Sequence, residues 1–267
     1  VMSFEPTPRE FFAAARPPAR LMRFREKFEA LAEYGIDIFY CPRFDPAMRS
    51  IRADAFLRQV LVHGVNARHM VVGDDFRFAS RREGTIEHLL KASRALEFDV
   101  EQVPSVTVDS VRVSSTVIRE SLAAGEVQRA AALLGRPYRM SGKVVKGRQV
   151  GRSLGYATAN VDIRRRQSAV HGIYAVRVNG LGPTAIDGVA SVGTRPTFDL
   201  CKPLLEVHLF DFDAEIYGEY IHVDFLAHLR PEEKFASVDE LVAQMALDAE
   251  NARTALAALA VRQDNKA

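Results

Sequence analysis

Leu204-Leu205-Glu206-Val207-His208-Leu209-Phe210 is the stretch that decides the fold of the second half of this chain. Apolar and polar residues alternate along it, as they do in a strand buried on one side. Because a strand has a period of two, the aliphatic side chains at positions 205, 207 and 209 share one face. Glu206, His208 and Phe210 then share the opposite face, away from the aliphatic side.

Other β-prone runs surround this strand and are punctuated by Gly and Pro: Gly172–Val178, Ala185–Val192 and Tyr220–Leu226. Several short strands joined by turn residues predict a small antiparallel β-barrel. Ser237 with Glu240 three residues later forms a capping-box pattern, which predicts a last helix after the barrel.

The first half alternates between helical and strand patterns, which favours a mostly parallel sheet covered by helices. After Leu134–Pro137 the residue pattern changes to β-prone runs. Residues 1–137 are therefore predicted to form an α/β nucleotidyltransferase-like domain, and residues 138–267 the barrel with its C-terminal helix. Helices are predicted at Leu21–Tyr34, Ala53–His63, Thr85–Leu96, Ser115–Ala123 and Glu126–Leu134, and strands at Ile36–Tyr40, His69–Val72 and Phe98–Val103.

The composition is that of an ordinary globular protein, with 48% apolar residues, 26% charged residues and a net charge of +2. This balance argues against disorder and against nucleic acid as a partner, and we expect the run Arg164–Arg166 to be a solvated loop. No apolar run reaches the roughly 20 residues of a membrane span. Cys41 and Cys201 are far apart and have no ligand spacing, which fits a reducing cytoplasm and excludes a disulfide framework.

A glycine-rich stretch runs from Gly142 to Gly155 and leads to Thr158 and Asn160, two oxygen-bearing side chains spaced two apart. Glycines permit close approach of the backbone to phosphates, but they also occur in tight β-turns. No GxxxxGK[ST] sequence is present, so the residues alone leave both interpretations open.

The ordered segments GRSLGYATAN, HGIYAV, GVASVGTRPTF, LLEVHLFDFD, YGEYIHVDFLAHLR and EEKF together resemble the riboflavin kinase family over residues 139–257. The resemblance implies that Thr158 and Asn160 coordinate Mg²⁺ and nucleotide phosphates. It also implies that Glu206, otherwise a solvent-facing carboxylate, is the catalytic base for the riboflavin 5′-hydroxyl. Ala157 stands where the family usually has proline, which loosens the loop without removing either ligand.

His208 is a lone strand histidine, which is usually just a packed or exposed polar group, so we assign it no chemistry. The same resemblance assigns further residues to the two substrates. The residues assigned to ATP, besides Thr158 and Asn160, are Gly142, Lys143, Gly151, Arg152 and Gly155. Those assigned to the flavin are Arg195, Pro196 and Arg230, in loops where surface salt bridges explain the arginines equally well.

Val72–Phe78, at a strand end, and Val113–Arg119, opening a helix, resemble the FMN adenylyltransferase module that precedes riboflavin kinase in bacterial bifunctional enzymes. Ser115 as N-cap, with Arg119 one turn later, predicts an anion site for ATP phosphates, although ordinary capping explains the serines as well. The residues assigned to this module are Ser114, Ser115, Thr116, Arg119, Gly73, Asp75 and Phe76.

The GxFDGxHxGH-like segment of such transferases is missing from this sequence, and Thr7 and Ala79 depart from the histidine and glycine usual at their positions. We interpret this as a truncated start; loss of catalysis is the alternative. The sequence thus predicts an FAD-synthesis enzyme that converts riboflavin and ATP to FMN, and FMN and ATP to FAD and pyrophosphate. The rival hypothesis is a riboflavin kinase alone, with an inactive transferase-like domain as a structural or regulatory flavin- or nucleotide-binding module.

Overall fold

The chain folds into two compact units, which are described separately. The computed structural model describes residues 1–147, 155–196 and 201–264, with the backbone alone at 195–196, 201–202 and 262–264. The first unit combines Val1–Pro18 with Leu31–Val113, and the second combines Ala19–Ala30 with Ser114–Ala267.

This division differs from the predicted boundary at residue 137 at two places. The helices between Ser114 and Pro137 belong to the barrel unit, and so does the short segment Ala19–Ala30. The predicted boundary marks the change from helical to β-prone residues, whereas the two compact units are defined by which residues pack together. Leu122, Val127 and Leu133 are buried on the two helices that precede the barrel.

The first unit contains a parallel pair of strands, as predicted from the alternating pattern. Strand β1 (His69–Gly73) pairs with strand β2 (Asp99–Val103), with His69 opposite Asp99 and Gly73 opposite Val103. Phe56, Leu57 and Leu89 are buried in one apolar cluster with Met70 and Phe98. The elements are α1 (Pro8–Phe12), α2 (Phe24–Glu33, shared with the second unit), α3 (Pro46–Ser50), α4 (Ala53–Ala55) continued by a π-helical turn (Phe56–Val62), β1 (His69–Gly73), a 3₁₀ turn (Ser80–Arg82), α5 (Ile86–Leu96), β2 (Asp99–Val103), β3 (Thr107–Val108) and β4 (Val111–Arg112).

The predicted strand at Ile36–Tyr40 is wrong. Within residues 36–40, which the structure describes in full, only Tyr40 forms a β-bridge, an isolated parallel one with Met2, and a second isolated bridge joins Glu5 to Arg43 beyond them. Ile38 is 74% exposed, so its apolar side chain, which suggested a half-buried strand, has no core to face.

The second unit is a closed antiparallel barrel with helices around it, which confirms the predicted fold class. Its strands are hydrogen-bonded in the order β10-β5-β6-β9-β8-β7, and β7 pairs with β10 to close the ring. The elements are α6 (Ser115–Ala123), α7 (Val127–Leu134), β5 (Tyr138–Val145), β6 (Ala159–Asp162), β7 (Gly172–Asn179), β8 (Ile186–Pro196), β9 (Cys201–Leu209), β10 (Tyr220–Arg230) and α8 (Val238–Asp264).

Part of the glycine-rich stretch is a strand of this barrel, not a loop. Gly142 lies within β5, and a Cβ atom there would come 2.5 Å from the carbonyl oxygen of Asp162 on the adjacent β6. Glycine is therefore required by the close approach of the two backbones.

The C-terminal helix α8 covers one side of the barrel. Ala249, Ala252 and Leu256 are buried on it and pack with Phe210 and Ala175. The predicted cap is present, because the backbone N–H of Glu240 donates to the Ser237 hydroxyl oxygen at 3.1 Å. None of the helices in the described ranges is long and apolar enough to cross a membrane.

A buried ion pair fixes the segment before Leu31 to the barrel unit. Arg165, which was predicted to be solvated, has a side chain only 1% exposed and lies 2.6 Å from the carboxylate of Glu26, which is 4% exposed. The same carboxylate accepts a hydrogen bond from the backbone N–H of Ser141 on β5 at 2.9 Å. Two phenylalanines of α2, Phe24 and Phe28, are about half exposed.

We expect Arg165→Met to lower the free energy of unfolding of the barrel unit by about 3–5 kcal/mol, since it leaves the Glu26 carboxylate buried without its partner. The matched control is Arg164→Met, because the neighbouring Arg164 side chain is 75% exposed and pairs with Asp162 at the surface. That change is expected to cost about 0–1 kcal/mol. Urea unfolding followed by far-UV circular dichroism measures both, and equal losses would contradict the account.

Candidate active site

The register between β6 and β9 brings together two of the predicted site residues. Asn160 lies directly opposite Glu206 in this antiparallel pair. Leu205 and Val207 are buried inside the barrel, so Glu206 points away from the barrel interior, as the alternation predicted. Side chains directly opposite each other have Cβ atoms about 4.5–5.5 Å apart, so the amide and the carboxylate are neighbours on one surface.

Asn160 has an unusual environment for a polar side chain. It is only 6% exposed, and its Oδ1 atom is buried with no hydrogen-bond partner among the described residues. Gly147 lies over the amide: a Cβ atom at this glycine would fall 2.3 Å from Nδ2 and 2.6 Å from Oδ1. An orphaned buried acceptor calls for an explanation, and an unplaced ion is one of the ordinary ones.

Thr158, the second predicted metal ligand, lies two residues before Asn160 and just ahead of β6. The turn that carries it is tied to β9 by His208. The Nδ1 atom of this histidine is 2.9 Å from the carbonyl oxygen of Ala157. No role was predicted for His208, although it lies two residues after Glu206 on the same face of the strand.

The remaining residues assigned to ATP lie in different settings. Gly142 and Lys143 belong to β5, with Lys143 paired to Asp162 of β6 and exposed. Gly155 has a φ of +82°, and no atom of the described residues lies within 4 Å of the position of a Cβ atom there. Gly151 and Arg152 lie outside the described residues.

The residues assigned to the flavin are harder to place at one site. Arg195 and Pro196 end β8, where only the backbone is described. Arg230 ends β10, and its guanidinium makes a bidentate pair with Asp248 of α8 at 2.8 and 2.7 Å. The hydrogen bond with Asp248 raises the pKa of Arg230 above its usual value. The described contacts of Arg230 therefore match the salt-bridge interpretation.

In the first unit, three predicted residues form the turn after β1. The backbone N–H of Phe76 donates to the carbonyl of Gly73 at 3.2 Å, and the Phe76 ring stacks on Phe78 with centroids 5.6 Å apart. Arg112 bridges Asp75 and its neighbour Asp74, with 3.1 Å to each carboxylate.

Asp74 is a polar centre of this turn that the sequence did not single out. Its carboxylate accepts hydrogen bonds from the hydroxyl and the backbone N–H of Ser105, at 2.7 and 3.0 Å. The hydrogen bond from the Ser105 hydroxyl is the main cause that lowers the pKa of Asp74 below its usual value. A sequence separation of about thirty residues hid the pairing, since only the parallel strands bring the two loops together.

The predicted phosphate-binding helix start needs one correction. Ser114, and not Ser115, is the N-cap of α6, because its hydroxyl oxygen accepts the backbone N–H of Val117 at 3.3 Å. Ser115 and Thr116 are exposed at the first turn. Arg119 donates to two backbone carbonyls, those of Ala19 at 2.7 Å and Ser115 at 2.8 Å. Its role toward ATP stays a prediction.

The predicted metal ligands, Thr158 and Asn160, carry a hydroxyl and an amide oxygen and, among the residues that the structure describes, are not part of a carboxylate or histidine cluster. In the described parts of the chain, no cluster of three or more His, Cys, Asp or Glu side chains could hold an ion. The buried amide oxygen of Asn160 and the hydroxyl of Thr158 are neutral donors of the kind that Mg²⁺ accepts when phosphates and water complete its shell.

Two family models match the chain, one on each half. The model described as FAD synthetase matches residues 1–117, and the one described as riboflavin kinase matches residues 134–256. A curated protein named bifunctional riboflavin kinase/FMN adenylyltransferase, from Escherichia coli strain K12, is 45% identical over 95% of this chain and 81% of its own length. The chain belongs to the bifunctional riboflavin kinase/FMN adenylyltransferase family.

Further relatives of the same name agree with this assignment. The Haemophilus influenzae protein is 42% identical over 95% of this chain and 82% of its own length. The Pseudomonas fluorescens protein is 41% identical over 97% of this chain and 82% of its own length. A solved structure, called macrolide-efflux protein from Streptococcus pneumoniae, shares the fold with a TM-score of 0.79 at 33% identity, covering 95% of this chain and 82% of that one.

Proposed function

We propose that this family member phosphorylates riboflavin with ATP to give FMN on its barrel unit, and that the segment matched by the FAD synthetase family, residues 1–117, joins FMN with ATP to give FAD and pyrophosphate. The family assignment supports both reactions. For the kinase reaction, the observation that carries most weight is the cross-strand pair of Asn160 and Glu206.

Mg²⁺ fits the donors around Asn160. We assign Asn160 Oδ1 and the Thr158 hydroxyl to the cation that accompanies ATP. Oδ1 has no hydrogen-bond partner in the described part of the chain, which supports this choice, because a buried acceptor is costly unless a ligand satisfies it. Held by Asn160 Oδ1 and the Thr158 hydroxyl, the cation would neutralise negative charge that develops on the transferred phosphoryl group.

Glu206 is assigned the role of general base. Phosphoryl transfer asks the protein mainly to orient the alcohol in line with the γ-phosphate and to accept its proton. The Glu206 carboxylate takes the proton of the riboflavin 5′-hydroxyl as the oxygen forms its bond to the γ-phosphorus, and the bond to the ADP oxygen breaks. The position of Glu206 beside Asn160 supports this role, since the hydroxyl that the base deprotonates must reach the γ-phosphorus of the bound nucleotide.

For the adenylyltransferase reaction we assign the turn Gly73–Phe76 to its substrates. The match of the FAD synthetase family to residues 1–117 supports this assignment. Taken by itself, the start of helix α6, with Ser114, Ser115, Thr116 and Arg119, keeps its predicted role toward ATP phosphates. We further propose riboflavin, FMN and ATP as the partners of this chain and the cytoplasm as its location. The two widely separated cysteines fit that compartment.

The first prediction concerns the products. Riboflavin, ATP and Mg²⁺ incubated with the chain should give FMN and then FAD, resolved by chromatography. Absence of FMN would contradict the kinase proposal. FMN without FAD would restrict the function of this chain to the kinase reaction and favour the rival hypothesis of an inactive transferase-like domain.

The second prediction concerns the base. We expect Glu206→Gln to reduce kcat for FMN formation by a factor of roughly 10²–10⁴, since the amide cannot accept the proton. Glu215→Gln is the control, because Glu215 is an exposed carboxylate in the turn before β10. Steady-state kinetics decide the matter, and comparable rates for the two variants would remove Glu206 from this role.

The third prediction concerns Asn160. Gly147→Ala should lower the affinity for Mg·ADP by about tenfold or more, because the new Cβ atom displaces the Asn160 amide. Gly182→Ala is the matched control, since the same methyl group meets nothing within 4 Å there. Calorimetric titration with Mg·ADP gives both affinities. An unchanged affinity in Gly147→Ala would argue against Asn160 as a ligand.

A further inference from the structure

The histidine next to the proposed base along β9 holds the turn that precedes β6. His208 Nδ1 lies 2.9 Å from the Ala157 carbonyl oxygen. A carbonyl oxygen only accepts hydrogen bonds, so Nδ1 must carry the proton and donate it. The contact therefore defines the tautomer of the neutral ring, with Nε2 left as the acceptor.

Two aromatic rings also contact this histidine. The Tyr156 ring meets it edge to face with centroids 5.3 Å apart and an interplanar angle of 66°, and the Phe210 ring lies 5.9 Å away at 74°. Phe210 itself is buried under helix α8. His208 thus connects a fixed part of the barrel to Tyr156 and Ala157 by one hydrogen bond and one ring contact.

The position of this contact matters because the ladder between β6 and β9 begins at Ala159, two residues after Ala157. The pairs in register are Ala159 with Val207, Asn160 with Glu206 and Val161 with Leu205. Asn160 is therefore positioned by the sheet. Thr158 lies just outside the paired residues, next to the carbonyl group that His208 binds.

We propose that His208 is a positioning residue for the kinase reaction, which holds Thr158 at the distance from Asn160 and Glu206 that binding of the metal–nucleotide complex requires. The inference rests on the proposed function. Because Glu206 and His208 are two apart on one strand face, the same strand positions the base directly and the Thr158 ligand through Ala157. His208 itself contacts neither the reacting atoms nor the cation in this role.

If His208 had a purely structural role, its aromatic ring would matter and its Nδ1–H donor would not. Three variants distinguish this structural role from the proposed positioning role. His208→Phe keeps the aromatic contacts and removes the hydrogen-bond donor. His208→Asn keeps a donor near the position of Nδ1 and removes the ring, and His208→Ala removes both. The matched control is His222→Phe on β10, since His222 is a half-buried strand histidine whose Nδ1 lies 2.9 Å from the Ser141 hydroxyl oxygen.

The measurements are calorimetric titration with Mg·ADP and the Michaelis constants for ATP and riboflavin. Loss of one hydrogen bond corresponds to a factor of roughly five in affinity. We therefore expect His208→Phe and His208→Ala to weaken Mg·ADP binding and raise KM for ATP by about that factor or more. His208→Asn should stay within about twofold of the unaltered chain, and KM for riboflavin should not change in any variant.

Several results would overturn the inference. Among them are Mg·ADP affinity in His208→Phe equal to that of the unaltered chain, loss in His208→Asn as large as in His208→Phe, and an equal loss in His222→Phe. Failure of the unaltered chain to form FMN would instead contradict the proposed function, so the two failures are distinguishable. Thermal unfolding of each variant shows whether it is folded during the titration, and a variant that loses affinity only by unfolding counts against the proposal.

Discussion

The kinase account depends on one constraint, the antiparallel register between β6 and β9. That register sets Asn160 opposite Glu206 and leaves Leu205 and Val207 inside the barrel. A slip of one residue would turn Glu206 into the apolar core and Leu205 out to solvent. Burial of Leu205 and Val207 therefore fixes the strand register, and the register in turn places the proposed base, Glu206, opposite Asn160.

The second requirement is room for the Asn160 amide, and it explains a glycine that the sequence left ambiguous. Gly147 leaves space that any side chain would fill, and it does so where Asn160 Oδ1 is buried without a hydrogen-bond partner in residues 1–147, 155–196 and 201–264. Gly142 is needed for a different reason, close approach of two strand backbones inside the barrel. Two glycines of one stretch thus serve the site and the fold separately.

The local sequence pattern was sufficient to predict the barrel, from several β-prone runs joined by turn residues, and the outward face of Glu206, from the period of two in Leu204–Phe210. It could not predict the burial of Glu26 and Arg165, since that ion pair joins residues 139 apart in sequence. For the same reason it could not show that α6 and α7 belong to the same compact unit as the barrel. His208 was overlooked because its partner is a backbone carbonyl, which no residue type reveals.

Thr158, Asn160 and Glu206 were chosen by resemblance, and the fold adds an independent physical reason for the last two to act together. The most direct test is a crystal structure of the chain with Mg·ADP and riboflavin. The account predicts Asn160 Oδ1 within about 2.1 Å of the cation and the Glu206 carboxylate within about 3.2 Å of the riboflavin 5′-oxygen. A cation that does not contact Asn160, or a 5′-hydroxyl out of reach of Glu206, would contradict it.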